Sequence, residues 1–324
     1  MQNALLYKSK QFFLVLVKMS IVVCAFYFII HKLKTNTQLD FSIFTDFLFK
    51  NDDFSLKNIG FLLFLTIFNW FFEILKWQHL TFIVKKITFF EALEQCLGSL
   101  TASLFTPNRV GEYGAKAMYY RTGYRKQIVL LNLIGNIMQM ATTSIFGVIG
   151  LILFAYHYEL LINHTNIIIL VAGVLLTGII IRFFINKLSF TIRGYSLKKI
   201  IDYILNLSRD YLFKAFTFSI ARYIIFSFQF YFLLLIFKVN LDYFDAMVPI
   251  TTMYLLASII PSIFILDVII KGSVAVYLFA YLGVNELIIL SIITIMWLLN
   301  FVLPSVFGSY YVLKFKLPKD IVKI

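Results

Sequence analysis

The segment Thr106-Pro107-Asn108-Arg109-Val110-Gly111-Glu112-Tyr113-Gly114 is polar and helix-breaking, yet it stands between apolar runs where a bilayer is expected. Proline lacks an amide proton and disfavours helix in the residue before it, so Pro107 suits the tip of a helical hairpin. Ahead of it, residues 88–106 read as a semi-polar helix carrying Glu91, Glu94, Gln95, Ser99, Thr101 and Ser103. Behind it, a second short helix runs from Gly111 to about Arg121. The frame recurs at one constant offset: Phe90, Glu91, Ala92 and Pro107 match Phe244, Asp245, Ala246 and Pro261. Residues 243–260, stopped by Pro261 and followed by 267–282, repeat the plan of a chain that enters a membrane, turns at a proline and leaves by the same side.

Composition sets these hairpins in a membrane. Hydrophobic residues make up 61% of the 324, aromatics 18% and charged residues only 14%, with a mean hydropathy of +0.88. A soluble globular domain is less apolar. Stretches at about 11–31, 58–78, 127–156, 165–185, 211–237 and 287–313 each approach or exceed the ~20 residues that cross a ~30 Å hydrocarbon core as helix. The alternation of a membrane barrel is missing, and runs such as Ile167-Ile168-Ile169-Leu170-Val171 favour helices, which bury their own backbone polar groups. The expectation is an all-α polytopic membrane protein, a single domain over 1–324. It has about six full transmembrane helices plus two re-entrant hairpins. Three full spans separate the hairpins, so they open to opposite sides, as an inverted repeat with halves at about 58–156 and 211–313. Inverted repeats with broken helices are a transporter architecture, with the cargo site near the midplane.

The net charge of +13 is distributed by loop. Lys8 and Lys10, Lys76, Lys85 and Lys86, the segment Arg109 to Lys126, the segment Arg182 to Lys214, and Lys314 to Lys323 fall on one side. Only Lys32, Lys34, Lys50, Lys57, Lys238 and Lys271 fall on the other. The positive-inside rule then puts both termini in the cytoplasm and the chain in the cytoplasmic membrane, its basic face toward anionic headgroups rather than nucleic acid. The stretch Phe12 to Ile30 is longer than a signal-peptide core and is read as a retained first span. A short amphipathic helix is expected at about 197–207. Cys24 and Cys96 imply no disulfide framework, and His31, His79, His157 and His164 have no metal-ligand spacing, so no metal or cofactor is expected.

Charge inside a membrane is costly, roughly 2.5 to 3.5 kcal/mol per Arg or Asp at a helix centre on insertion scales, which makes the few polar residues informative. Arg109 and Glu112 stand three apart, on one helix face and within reach of each other. They are either a structural ion pair locking the hairpin tip, or an arginine fork for a phosphate held by its carboxylate. Lys116 extends this basic track by a turn. Arg121, Arg125 and Lys126 read as interface anchors beside Tyr119 and Tyr120. Asn132, Asn136, Gln139 and Thr143 fall on one face of the next span, a stripe that suits interhelical hydrogen bonds or a cargo path. Glu73 with Lys76, and Arg222 with Gln229, could complete a polar cavity, while Trp70 and Trp77 read as interfacial anchors. In the second hairpin Asp267 and Lys271 form the sole charged pair, four apart.

Thr106-Pro107-Asn108-Arg109-Val110-Gly111-Glu112, with the semi-polar helix from Thr88 before it and Ala115-Lys116-Ala117-Met118-Tyr119-Tyr120-Arg121 after it, resembles the P-G-R-x-G-E segment of the lysylphosphatidylglycerol synthase transmembrane-region family, the flippase-like proteins. The hydropathy likeness covers nearly the whole chain, and the specific motif lies within about 87–121. The resemblance implies translocation of lipid across a bilayer. The chain departs from the family pattern at Asn108, where glycine is usual, at Gly272, which takes a glutamate position, and at Trp297, where the last span often has an arginine. Pro261 is kept, and Lys271 falls where a basic residue is common.

The leading expectation is therefore a lipid flippase or transporter for an anionic or lipid-linked headgroup, not an enzyme. Arg109, Glu112, Lys116, Glu73, Asn132, Asn136, Gln139, Arg222, Asp267 and Lys271 would form the path, and Pro107 and Pro261 the tips. Its partner is a membrane phospholipid or lipid-linked substrate, with room for a homo-oligomer or a partner enzyme. No Gly-rich loop ending in Gly-Lys-Ser/Thr is present, so this chain is not expected to hydrolyse ATP. The alternatives are a glycosyltransferase-like membrane enzyme using Asp52 and Asp53, and a scaffold that transports nothing.

Overall fold

The computed structural model describes residues 16–24, 26–27, 30–31, 54–104, 106, 109–158, 191–192, 195–196, 203–259 and 266–318, with backbone alone at 191–192, 195–196 and 266–270. Pro107, Pro261, Asp52, Asp53 and the expected span at 165–185 lie outside the described residues.

The described chain is helical apart from one antiparallel pairing of two-residue strands, β1 (Thr191–Ile192) with β2 (Tyr195–Ser196). Ser55 opens α1 (Leu56–Thr81) by accepting from the Asn58 amide. Thr88 and Glu91 then form a capping box that starts α2 (Phe89–Ser103), each side chain bonded to the other's backbone N–H. α3 (Gly111–Met118) and α4 (Thr122–His157) follow. Ser208 caps α5 (Arg209–Ile236), which leads to α6 (Tyr243–Ile259) and α7 (Leu266–Ala280). The last long helix is continuous through α8 (Glu286–Trp297), a π-helical turn at Leu298–Val302, and α9 (Leu303–Lys314).

Among the described residues four helices are long and apolar enough to cross a membrane: Leu56–Thr81, Thr122–His157, Arg209–Ile236 and the continuous Glu286–Lys314. These are four of the six expected spans. Of the first, residues 16–24 are helical, and Lys18 Nζ donates to the Leu313 carbonyl at 3.2 Å, which sets that segment beside the end of α9. The amphipathic helix expected at 197–207 is described only from Tyr203, where residues 203–205 are helical. At 1.5 Å per residue, α2, α3, α6 and α7 are roughly 12 to 26 Å long, short of a hydrocarbon core.

Helix pairing is ordered. α1 packs along α5, α2 against α9, and α6 against α4, while α2 also packs on α3 and α6 on α7. Small residues permit the closest approaches. A Cβ added at Gly308 of α9 would collide with the Leu97 carbonyl of α2, and one at Gly147 or Gly150 of α4 would collide with Leu255 or Thr251 of α6. Such contacts replace the hydrophobic effect as the source of helix association in lipid. The α2–α9 seam is also bonded, since Thr101 Oγ1 donates to the Ser305 carbonyl at 2.8 Å.

Two apolar clusters result. One gathers Ile74, Trp77, Leu80, Leu100, Ile128, Leu131 and Ile134 from α1, α2 and α4. The other gathers Phe230, Leu234, Ile250, Phe279, Ile289 and Ile292 from α5 to α8.

The π-helical turn has a local cause. Pro304 has no N–H to offer the Asn300 carbonyl four residues back, and its ring crowds that carbonyl in a regular helix. The indole Nε1 of Trp70 donates to the same carbonyl at 3.2 Å. Trp70 and Trp77 are thus not interfacial anchors: they are 7% and 1% exposed, buried under neighbouring helices.

Candidate functional site

The hairpin turn is held by Thr106. Its carbonyl accepts from the Arg109 amide at 3.1 Å. Its hydroxyl accepts from the Gly111 amide at 3.0 Å and donates to the Ser103 carbonyl at 2.7 Å. Gly111 lets this turn close, because a Cβ there would lie 2.9 Å from Thr106 Cγ2. Arg109 itself adopts φ 55, a left-handed backbone that an arginine takes up only when its surroundings hold it there.

From that turn a chain of ion pairs runs inward. Arg109 Nη2 donates to Glu112 Oε2 at 2.7 Å, and the other carboxylate oxygen meets Lys116 Nζ at 2.8 Å. Lys116 also donates to Asn132 Oδ1 at 2.9 Å and sits 4.2 Å from the centroid of the Trp77 ring. Trp77 Nε1 and the Tyr120 hydroxyl both donate to Gln95 Oε1, at 2.8 and 3.0 Å. Tyr120, expected at the interface, is buried here.

A second group forms where α1 meets α5. Glu73 Oε2 accepts from Lys76 Nζ and from Arg222 Nη1, both at 2.7 Å. Arg222 Nε donates to Asn69 Oδ1 at 3.0 Å, and Asn69 Nδ2 donates to Asn300 Oδ1 at 2.7 Å. Asn300 Nδ2 passes the network to Gln229 Oε1 at 2.9 Å, and Gln229 Nε2 ends it on Thr66 Oγ1 at 2.8 Å and the Leu62 carbonyl at 3.1 Å. This polar seam joins α1, α5 and the π-helical turn, and Arg109 lies over the ring of the next residue there, Phe301, at 5.7 Å.

The two groups meet on α1 in one polar unit: Trp77, whose ring centroid lies 4.2 Å from Lys116 Nζ, directly follows Lys76, the partner of Glu73. Two carboxylates, Glu73 and Glu112, stand against four cations, Lys76, Arg109, Lys116 and Arg222. Counted as ammonium and guanidinium groups, the cations outnumber the carboxylates by two. The lysines and glutamates form the buried interior of this unit, with side chains 2 to 11% exposed. The arginines form its open rim, with side chains 32% exposed at Arg109 and 22% at Arg222. Arg109 Nε is a buried donor without a partner among the described residues. Uncompensated positive charge at low dielectric favours any anion that can reach the rim.

The structure thus brings together Arg109, Glu112, Lys116, Asn132, Glu73 and Arg222. Asn136 is nearby on α4 and donates to the Tyr113 hydroxyl of α3 at 2.8 Å. Gln139, one turn on, has a buried Oε1 without a partner among the described residues. Lys271 is half-buried in α7, and Asp267 contributes backbone to the same helix, its side chain lying outside the described residues. Asn69, Asn300, Gln95 and Trp77 are additions. The signal for Asn300 was an amide in the most apolar span, four residues before a proline. Among the described residues no group of His, Cys, Asp and Glu could hold a metal ion.

Compared with protein-family models, with curated proteins and with solved structures, the chain matches none.

Proposed function

We propose that the protein is a membrane transporter that moves a lipid with an anionic headgroup between leaflets, the headgroup passing through the polar unit while the tails stay in the bilayer. The observation that carries this reading is the excess of cations over carboxylates inside an apolar helical bundle, with Arg109 and Arg222 at its accessible edge. A purely structural ion-pair network has no need of unbalanced charge, since each extra buried cation destabilises it. An arginine fork is matched to phosphate oxygens.

An inverted-repeat architecture accompanies the proposal. It is supported by the pairing of α2 with α9 beside that of α6 with α4, each across glycines, with α1 and α5 between them. The shortness of α2, α3, α6 and α7 suits re-entrant hairpins rather than crossings. Both termini facing the cytoplasm, and kinship with the flippase-like family through Arg109, Gly111 and Glu112, belong to the same proposal.

Reconstitution into liposomes with a fluorescent anionic phospholipid tests it. Initial transfer rates should fall at least tenfold in Arg109→Ala. Rates equal to wild type would remove the polar unit from the transport path.

A further inference from the structure

We propose that Glu112 is a built-in competitor for the cargo: its carboxylate sits on Arg109 where the headgroup phosphate binds, and it steps back onto Asn132 when the phosphate arrives. This deepens the anionic-headgroup reading and rests on it.

The contact between Arg109 and Glu112 is one-armed. A guanidinium presents two parallel N–H donors to a carboxylate or phosphate, and the fork is strongest when both are used. Here Nη2 donates to Glu112 Oε2 at 2.7 Å, while Nε is buried and has no partner among the described residues. The other carboxylate oxygen is turned away, to Lys116 Nζ at 2.8 Å. Glu112 thus fills half of a fork. It can also leave Arg109 without losing its counter-ion, because Lys116 stays with it.

A donor for the released oxygen is already in place. Lys116 Nζ bridges Glu112 Oε1 and Asn132 Oδ1, at 2.8 and 2.9 Å, so the carboxylate and the amide are neighbours on one ammonium group. Asn132 is 2% exposed, and its Nδ2 is a second buried donor without a partner among the described residues. Buried donors are seldom left so, since nothing replaces the water they have lost. One carboxylate therefore stands between two donors that lack acceptors. Moving Glu112 Oε2 from Arg109 Nη2 to Asn132 Nδ2 would satisfy the amide and open both arms of the arginine to a phosphate.

The exchange is a movement of side chains. The backbone of Arg109 is fixed in its left-handed turn, where its amide donates to the Thr106 carbonyl at 3.1 Å. Its side chain is 32% exposed, against 10% for Glu112 and 2% for Lys116, so an anion meets the arginine first. Phosphate and carboxylate exclude each other at that guanidinium. Return of Glu112 then hastens release, and a transport site must let its cargo leave as well as enter.

Glu112→Gln combined with Lys116→Met tests this. The double variant lacks one carboxylate and one cation, so the excess of two cations is kept and only the competitor is lost. Binding of short-chain phosphatidylglycerol to the full-length protein in detergent, followed by calorimetry, should tighten about tenfold, as expected when one charge-assisted hydrogen bond is lost from the competing state. In proteoliposomes, transfer of labelled phosphatidylglycerol should slow at saturation while its half-saturating concentration falls. A residue that serves the fold alone would lose affinity and rate together. Should the double variant fail to fold, Glu112→Asp, which shortens the reach to Arg109 and keeps the counter-charge of Lys116, should move both quantities in the same directions to a smaller extent. Unchanged or weaker binding in these variants would overturn the inference. If Arg109→Gln still weakens binding to the otherwise wild-type protein, the anionic-headgroup reading stands without it. Indifference of binding to Arg109→Gln and Arg222→Gln would sink that reading too.

Discussion

Arg222 Nη1 stands 2.7 Å from Glu73 Oε2, although the two residues come from helices in opposite halves of the chain. Glu73 also neutralises Lys76, so one carboxylate holds two cations in a buried seam. Removing it leaves both charges without a counter-ion at low dielectric. Glu73→Gln should therefore destabilise the protein by about 3 to 5 kcal/mol. Adding Lys76→Met should recover part of this loss. Unfolding in detergent checks both variants, and a Glu73→Gln protein as stable as wild type would mean that the seam is hydrated and screened.

Trp70 and Pro304 form a matched pair through the Asn300 carbonyl. The proline withholds an amide donor and the indole supplies one at 3.2 Å. Trp70→Phe should cost about 1 to 3 kcal/mol, the penalty of a buried carbonyl without its donor. In a Pro304→Ala background, where the backbone N–H is restored, the same change should cost less. Equal cost in the two backgrounds would show that the indole acts by packing alone.

Gly308 and Gly60 give opposite expectations from one substitution. A Cβ at Gly308 would meet the Leu97 carbonyl and Thr101 Oγ1, whereas one at Gly60 would meet nothing within 4 Å. Gly308→Ala should separate α9 from α2 and destabilise by about 1 to 3 kcal/mol, as overpacking does. Gly60→Ala should be neutral or slightly stabilising, because α1 loses a flexible residue. Thermal unfolding of the two variants side by side decides it.

The part of this fold that was legible in the sequence is the part fixed by local spacing. Glu112 and Lys116 lie at i and i+4 within α3, so their meeting followed from helical geometry, whereas Arg109 reaches Glu112 from a left-handed turn ahead of the helix, which that spacing did not foretell. Asn132 and Asn136 share a face of α4 by the same helical spacing. The Asn69–Asn300–Gln229 chain was not legible, because each is a single amide in a different span and no periodicity joins them. Tertiary packing of α1 on α5 makes that contact. The tryptophans misled for a related reason. Trp70 and Trp77 stand toward one end of a span, where interfacial aromatics are common, but Asn300 and Gln95 supply acceptors that let both rings be buried.

Transport as proposed depends on selection of an anionic headgroup by the polar unit's excess of cations, presented at Arg109 and Arg222. The measurement that tests it most directly is the ratio of transfer rates for labelled phosphatidylglycerol and phosphatidylcholine in the same proteoliposomes, for wild type and for Arg109→Gln with Arg222→Gln. The ratio should be at least tenfold in wild type and should fall toward one in the double variant as the anionic lipid slows. A wild-type ratio near one, or a preference for phosphatidylglycerol that persists without both arginines, would contradict it.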